Sequence, residues 1–427
     1  MNTEPVRGGD AAAPVTVALI GAGNRGQGYV GWIARHRDRA KVVAVADPDP
    51  HRRSLVQAAH PEAVAYKTWA ELLADPDAVF DMAIVATQDQ FHREPVLALA
   101  ERGTAILLEK PVAPTIEEVR EVIAAVKAAG VIFGVCHVLR YTPYTEQLKD
   151  VVDSGVLGKI VNIEHLEPVG WWHMAHSFVR GPWRREDTSA PMLLAKSCHD
   201  IDWISHVTGI EYDQVASFGK LTHFTAENRP AEAADRCLDC PLEPTCPYSA
   251  PKLYVPLVRA EGSVWPVSVI TDGDTEEDVL EALRTGPYGR CVYDCDNDVV
   301  DNQVVAFTGK DGETGTFTMC AFTEQSHRKS RIFGTHGRVE CDGETIDILD
   351  FRTGGREIRF VGGSQGANAA TGHGGGDAGL MNSFIAAVAQ RDQSLVRSGP
   401  DQSLASHAAV FAAEESRKSG RIVRVDV

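Results

Sequence analysis

The stretch VTVALIGAGNRGQGYVGWIARH, residues 15 to 36, constrains the fold of this chain more than any other segment. A short apolar run ends at Gly21, and Gly21, Gly23 and Gly26 stand in G-x-G-x-x-G spacing ahead of a helix-like stretch. In a strand–turn–helix unit the first glycine makes the tight turn. The second lets backbone approach a pyrophosphate, and the third lets helix pack on strand. Asn24 and Arg25 lie inside the turn, where the N-terminus of the helix offers N–H groups and a positive dipole end to phosphate. The motif alone is common. A strand before it, a helix after it and a further acid together make it a dinucleotide fingerprint. That acid is Asp47, at the end of KVVAVAD. A carboxylate there takes the adenosine ribose hydroxyls and repels a 2′-phosphate, which favours NAD. Arg52 and Arg53 nearby leave room for NADP.

The chain alternates from 15 to 137. VTVALI, KVVAVAD, DMAIVAT, AILLEK and VIFGVCH are apolar runs, separated by helix-like segments such as HREPVLALAERG. TIEEVREVIAAVKAAG opens on Thr115 and Glu118 at capping-box spacing and stops at Gly130. Continuous apolar strands separated by helices imply a parallel sheet covered on both faces. After about 158 the strands lengthen, and Asp311–Gly312 and Asp342–Gly343 supply hairpin turns, which implies an antiparallel sheet. At 427 residues two domains are expected. The reading is α/β: a disordered tail at 1–14, a Rossmann NAD(P)-binding domain at 15–140, and an α/β domain at 141–427. The second domain holds a large, mainly antiparallel open sheet, interrupted by a Pro- and Cys-rich, otherwise irregular insertion at about 225–300. Residues 362–376 form a glycine-rich loop ahead of two helical stretches.

The formal charge of −17 disfavours nucleic acid and anionic membranes as partners. No apolar run approaches the ~20 residues of a bilayer span. The first fourteen residues lack the apolar core of a signal peptide, so a cytoplasmic protein is expected.

LLEKP at 107–111 places Lys110 at the end of a buried strand, hence at the ligand crevice of a parallel sheet. With the glycine turn, ATQDQFH (86–92), RYTP (140–143) and KSCHDID (196–202), the chain resembles the Gfo/Idh/MocA family of sugar and inositol oxidoreductases from 15 to 427. The resemblance implies that Glu109, Lys110 and Pro111 form the cofactor-and-catalysis motif, with Lys110 reaching both nicotinamide ribose and substrate hydroxyl. It implies Thr87, Gln88 and His92 along the nicotinamide side, although Thr-Gln-Asp departs from the more usual Thr-Pro-Asn. It further implies an Asp-x-x-x-His pair in the site. Here His199 matches the histidine, and Ala195 stands where the aspartate would be. Lys196 shares a helix face with His199 and points toward the site. A second lysine close to Lys110 and His199 would depress the basicity of each cation and suit proton transfer near neutral pH. The structural alternative pairs Lys196 with Asp200 or Asp202. His206 is expected to be packing. Homodimers or homotetramers through the outer face of the open sheet are implied as well.

Substrate contacts are expected from Arg140 of RYTP and from GWWHMAHSFVRGPWRRED (170–187), which has no clear periodicity. Aromatic faces stack on sugars and arginine forks bind anions, which nominates His173, His176, Arg180, Trp183 and Arg184. His373 and Asp377 bracket three glycines in a loop able to close over a substrate. Nine cysteines are too odd a set for a disulfide framework. Cys237-x2-Cys240-x5-Cys246, with Cys291 or Cys295, has spacing suited to a structural zinc. Cys136, Cys198, Cys320 and Cys341 read as small buried hydrophobes.

The expected activity is NAD-dependent hydride transfer with a sugar, sugar acid or cyclitol, with Lys110, Lys196 and His199 as catalytic groups. The alternative is a redox-neutral glycoside hydrolase that oxidises, eliminates, hydrates and reduces again. A non-catalytic nucleotide-binding protein is disfavoured by the retention of Lys110 and His199.

Overall fold

The computed structural model describes residues 13–361 and 373–427. Most of the tail and of the glycine-rich loop expected from the sequence lie outside the described residues.

Six parallel strands form the first sheet: β1 (Val15–Ile20), β2 (Ala40–Ala46), β3 (Val64–Tyr66), β4 (Met82–Val85), β5 (Ala105–Leu108) and β6 (Phe133–Val135). Their order is β3-β2-β1-β4-β5-β6, the doubly wound arrangement. Every residue of β4 and β5 is buried, as strands covered on both faces must be. The helix Ile116–Ala129 starts where the sequence places it: Thr115 accepts from the Glu118 N–H, and Gly130 closes it at φ +64°. The strand order reverses between β1 and β4. The crevice beyond their carboxyl ends therefore receives the glycine turn, Thr87–Gln88 and, after β5, Glu109–Lys110.

Nine strands form the second sheet: β7 (Ile160–Pro168), β8 (Tyr212–Lys220), β9 (Asn302–Gly309), β10 (Thr314–Cys320), β11 (Lys329–Gly334), β12 (Gly337–Cys341), β13 (Thr345–Asp350), β14 (Arg356–Phe360) and β15 (Val423–Arg424). Their order is β14-β13-β12-β11-β7-β10-β9-β8-β15, and only the β10–β7 pair is parallel. Gly312 (φ +86°) and Gly343 (φ +92°) sit in the expected hairpin turns. On β7 the residues Ile163, His165 and Glu167 turn inward while Glu164 faces solvent. On the outer face Phe218 of β8 lies opposite Val304 of β9, and both are exposed.

The chain returns to the first sheet near its end. Leu380, Met381, Phe384 and Ile385, on the helix Gly376–Gln390, pack with Val17, Leu19 and Tyr29. The insertion differs from the irregular segment expected. It carries helices Ala250–Glu261 and Glu276–Thr285 around a small core of its own, including Tyr254, Val258, Val279 and Leu283. Its apolar residues are spaced for helices, and only its prolines and cysteines suggested otherwise. Among the described residues no helix is long and apolar enough to cross a membrane.

Candidate active site

A cavity of about 220 Å³ lies between the two sheets, at the carboxyl ends of β1, β4 and β5. Gly23, Asn24, Arg25, Thr87, Gln88, Glu109, Lys110, His173, Trp183, Lys196, His199 and His373, all nominated from the sequence, line it.

Each glycine of the turn has a separate physical reason. Gly21 adopts φ +91°, and a Cβ there would lie 2.5 Å from the Ala86 carbonyl. A Cβ on Gly26 would lie 2.2 Å from the Gly21 carbonyl, so helix and strand meet only through glycine. At Gly23 nothing stands within 4 Å of an added Cβ, and no side chain caps the helix that follows. An open cradle over a helix N-terminus without a side-chain cap fits a pyrophosphate. Asp47, at the end of β2, is buried, and its Oδ2 accepts from the Ala22 N–H at 2.7 Å. It ties the glycine turn to the neighbouring strand. The buried Thr87 Oγ1 has no hydrogen-bond partner among the described residues, and Thr87 is one of the residues lining the cavity.

Lys110 is held from both sides. Its own N–H donates to Glu109 Oε2, and the Lys110–Pro111 peptide is cis. The Pro111 carbonyl meets His92 Nδ1 at 2.7 Å, and the Val112 N–H donates to His407 Nε2 at 3.0 Å. His407 in turn bonds the Ser403 carbonyl through Nδ1. His92 also lies 3.2 Å from the Thr87 carbonyl, so it joins two loops from behind and does not line the cavity. Lys110 Nζ donates to the Ala195 carbonyl, which brings it across to the KSCHDID segment.

Lys196 lines the cavity and pairs with Glu167 Oε1 at 2.8 Å, not with Asp200 or Asp202. Glu167 also contacts Arg328 at 2.7 Å, and Arg328 reaches Asp200 at 2.8 Å. His165 bonds Asp200 at 3.0 Å. This network supplies carboxylates close to the place where Ala195 replaces the expected aspartate. Glu167, Arg328, Asp89 and Trp265 are site or near-site residues that the sequence reading missed. The inward alternation of His165 and Glu167 along NIEHLEP was a readable signal for the first. Asp89 stands in the quoted ATQDQFH motif, and nothing in the local sequence marks Arg328 or Trp265.

Burial pushes the His199 imidazole well below its usual basicity, and Lys110 adds to the shift. His199 is therefore neutral at neutral pH, and its buried Nδ1 has no hydrogen-bond partner among the described residues. Burial, then Lys196, push His173 down in the same way. A second network reaches the cavity from the far end of the chain. Arg25 pairs with Glu109 and Asp377, each at 2.7 Å, and His373 Nδ1 lies 3.2 Å from Asp377. Burial pushes the Asp377 carboxyl up, but His373 and Arg25 outweigh it and hold it ionised.

Four nominated substrate residues lie elsewhere. Arg140 is buried and bidentate to Asp202 at 2.6 and 2.7 Å, a structural ion pair under the helix Cys198–Thr208. His206 lies 3.3 Å from the same arginine, in keeping with packing. His176 bonds the Tyr254 hydroxyl and stacks on Tyr288 in the core of the insertion. Arg180 bonds the carbonyls of Arg290 and Tyr248, and Arg184 pairs with Asp296 at the surface. The segment Met174–Arg180 is a π-helix, whose wider turn hides from a search at period 3.6 and sends alternate residues to unexpected faces. Ser177 and Phe178 of this turn line the cavity instead.

The expected zinc site is also corrected. All nine cysteines are free, and among the described residues no three His, Cys, Asp or Glu side chains are grouped to hold a metal ion. The sulfurs are not gathered as tightly as one tetrahedral ion requires.

Comparison with known proteins agrees with this architecture. The family model described as an oxidoreductase family with an NAD-binding Rossmann fold matches residues 15–137, and its C-terminal α/β domain matches 149–427. A 2,7-anhydro-N-acetylneuraminate hydratase of Mediterraneibacter gnavus is 25% identical over 48% of this chain and 52% of its own length. The scyllo-inositol 2-dehydrogenase (NAD(+)) of Bacillus subtilis is 26% identical over 48% of this chain and 58% of its own. The chain thus spans just over half the length of these two relatives. A crystal structure of an oxidoreductase from Agrobacterium radiobacter, in complex with NAD+, L-tartaric acid and magnesium, superposes with a TM-score of 0.70. It is 16% identical and covers 96% of this chain and 98% of that one.

Proposed function

Because the chain belongs to the Gfo/Idh/MocA family of NAD-binding oxidoreductases, we propose that it transfers a hydride between nicotinamide and a hydroxyl-bearing carbon of a sugar, sugar acid or cyclitol. The observation that carries this reading is the meeting of the glycine turn, Lys110 and His199 on one cavity. Gly21, Gly23, Asn24, Arg25 and Gly26 would cradle the pyrophosphate, with Asp47 at the adenosine ribose and Thr87, Gln88, Glu109 and Lys110 along the nicotinamide side. The bound nucleotide supplies the hydride acceptor. In the oxidative direction Lys110 Nζ takes the hydroxyl proton as the carbinol hydrogen leaves with its electron pair, and a carbonyl forms. His199, neutral at neutral pH, holds the same oxygen by a hydrogen bond. Lys196, His173, Trp183 and His373 would hold the remainder of the substrate. Exposed Phe218 and Val304 on the open sheet support a homo-oligomer, and nine free thiols support a reducing, cytoplasmic setting.

A second reading rests on a specific feature. Lys110, Lys196, His199 and the Asp377-paired His373 surround one cavity, more proton carriers than one hydride transfer uses. Such a set suits transient oxidation followed by elimination, hydration and reduction, and one similar protein is a hydratase of an anhydro sugar. The test is mass spectrometry and absorbance on the purified protein, followed by NAD with a panel of sugars, cyclitols, anhydro sugars and glycosides. NADH growing in proportion to substrate supports the dehydrogenase. Turnover on bound NAD without NADH accumulation supports the redox-neutral reaction. Neither outcome on any panel member would count against both.

A further inference from the structure

Two cations at the active-site cavity are left unexplained by cofactor binding and proton transfer. Lys196 and Arg328 both line the cavity, whereas Glu167 and Asp200, which neutralise them, do not. Lys196 Nζ lies 2.8 Å from Glu167 Oε1, and Arg328 Nε lies 2.7 Å from Glu167 Oε2 and 2.8 Å from Asp200 Oδ1. The side chains of Lys196 and Arg328 are 17% and 14% exposed, against 4% and 0% for Glu167 and Asp200. The quartet is thus closed at its carboxylates and open at its cations. Its frame is the second sheet: Glu167 stands on β7, and Arg328 directly precedes β11, whose Lys329 pairs with Leu166 of β7.

Hydrogen-bonding capacity is left over on both cations. A guanidinium carries about five N–H donors and an ammonium about three. Arg328 engages Asp200 through Nε and, at 3.5 Å, through Nη2, and among the described residues its Nη1 has no hydrogen-bond partner. Among the described residues Glu167 is the polar partner that Lys196 Nζ meets. The carboxylates at hand are already used. His165 Nε2 bonds Asp200 Oδ1 at 3.0 Å. Glu109, which lines the cavity, accepts from Arg25, Tyr29 and the Lys110 N–H, and Asp89 accepts from the Ser189 hydroxyl. A ligand at this wall therefore meets cationic donors with capacity to spare.

We propose that Lys196 and Arg328 form a carboxylate subsite, and that the substrate is a sugar acid, a uronate or an aldonate, rather than a neutral sugar or a cyclitol. This substrate class rests on the hydride-transfer function proposed above. Hydrogen bonds from a cation to a carboxylate are roughly twice as strong as those between neutral groups. A neutral sugar offers Lys196 and Arg328 only hydroxyls. Glu167 and Asp200 already neutralise the pair, so a singly charged carboxylate suits it better than a dianionic phosphate ester. With the carboxylate held there, the hydroxyl-bearing carbon is left to Lys110 and His199, which line the same cavity.

The experiment presents uronates and aldonates of the common hexoses to the full chain, each beside its matched neutral sugar or alditol and the sugar 6-phosphate. NADH formation gives kcat/KM, and calorimetry on the NADH-loaded protein gives affinity without turnover. The expected result is an acid that exceeds its neutral counterpart at least about tenfold in both. Lys196→Gln and Arg328→Gln should remove that advantage by raising KM and Kd for the acid alone. Arg328→Gln leaves Asp200 short of a cation, so if it fails to fold, Lys196→Gln and the wild-type ratio decide. Neutral sugars or phosphates used as well as the acids would overturn the subsite and leave hydride transfer standing, as would equal losses for acid and neutral sugar in Lys196→Gln. No binding of any acid would overturn the subsite as well. Acids that bind selectively through Lys196 yet yield no NADH would uphold the subsite and overturn the dehydrogenase reading.

Discussion

At the scale of single residues, Lys110 and His199 are separable by their chemistry. The backbone that follows Lys110 is clamped by His92 and His407, so Lys110→Met removes the amino group while those clamps remain. It should lower kcat about 10²–10⁴-fold, the range for a lost acid–base group, with circular dichroism and Tm unchanged. Activity within tenfold of wild type would remove Lys110 from the proton-transfer step. His199 behaves differently, because burial keeps its ring neutral far below its usual titration range. It cannot produce a limb near pH 6.5 in the kcat/KM profile. His199→Gln should therefore lower activity without moving any limb between pH 5.5 and 7.5. A limb in that window that vanishes in the variant would show that His199 titrates there. Lys110 was legible from its place at the end of a buried strand, and His199 only through the resemblance of KSCHDID to the family's Asp-x-x-x-His pair. Glu167 was less so. It comes from the start of the second sheet, and its contact with Lys196 depends on how that sheet meets the KSCHDID helix, which no local pattern records.

At the scale of elements, the glycine turn gives a sharp contrast. Gly23→Ala adds a Cβ that meets no protein atom, in a backbone conformation any residue adopts. Gly26→Ala drives a Cβ against the Gly21 carbonyl, a backbone atom unable to give way. Thermal unfolding should thus be nearly unchanged for Gly23→Ala and clearly lowered for Gly26→Ala. NAD affinity, measured by calorimetry, should fall at least about tenfold, or ~1.4 kcal/mol, in Gly23→Ala, although its fold is undisturbed. Unchanged affinity in that variant would mean that the cradle does not hold the pyrophosphate. Elements with a regular period, such as the Ile116–Ala129 helix and β7, were legible because capping and alternation are local signals. The π-helix at Met174–Arg180 was not, because its wider turn scrambles the expected faces. It sent His176 and Arg180 into the insertion and brought Ser177 and Phe178 to the site.

Across the whole molecule, the balance of buried titratable groups sets the response to acid. Burial lowers His137 to about 4 and both His176 and His407 to about 3, from an ordinary value of 6.5. In each case the unfolded chain binds a proton that the native state refuses. Stability therefore falls as pH drops below 6.5 and continues to fall toward the folded values. Ionised Asp202 and Asp377 act in a second, lower window, because their carboxyls are held below the ordinary value of 3.8. Loss of their contribution begins only as pH approaches that value. His137 separates the two windows. Both of its ring nitrogens are buried without hydrogen-bond partners among the described residues, and Nε2 lies 3.8 Å from Asp202. Replacing it with leucine removes the titrating group without stranding a hydrogen-bond partner. His137→Leu should leave Tm at pH 7.5 within a few degrees of wild type. It should recover about 2 kcal/mol of the stability that wild type loses between pH 7.5 and 5, the cost of one histidine shifted from 6.5 to about 4. Denaturant melts at the two pH values measure the difference directly. An equal loss in variant and wild type would mean that His137 already carries its proton in the native state, paired with Asp202.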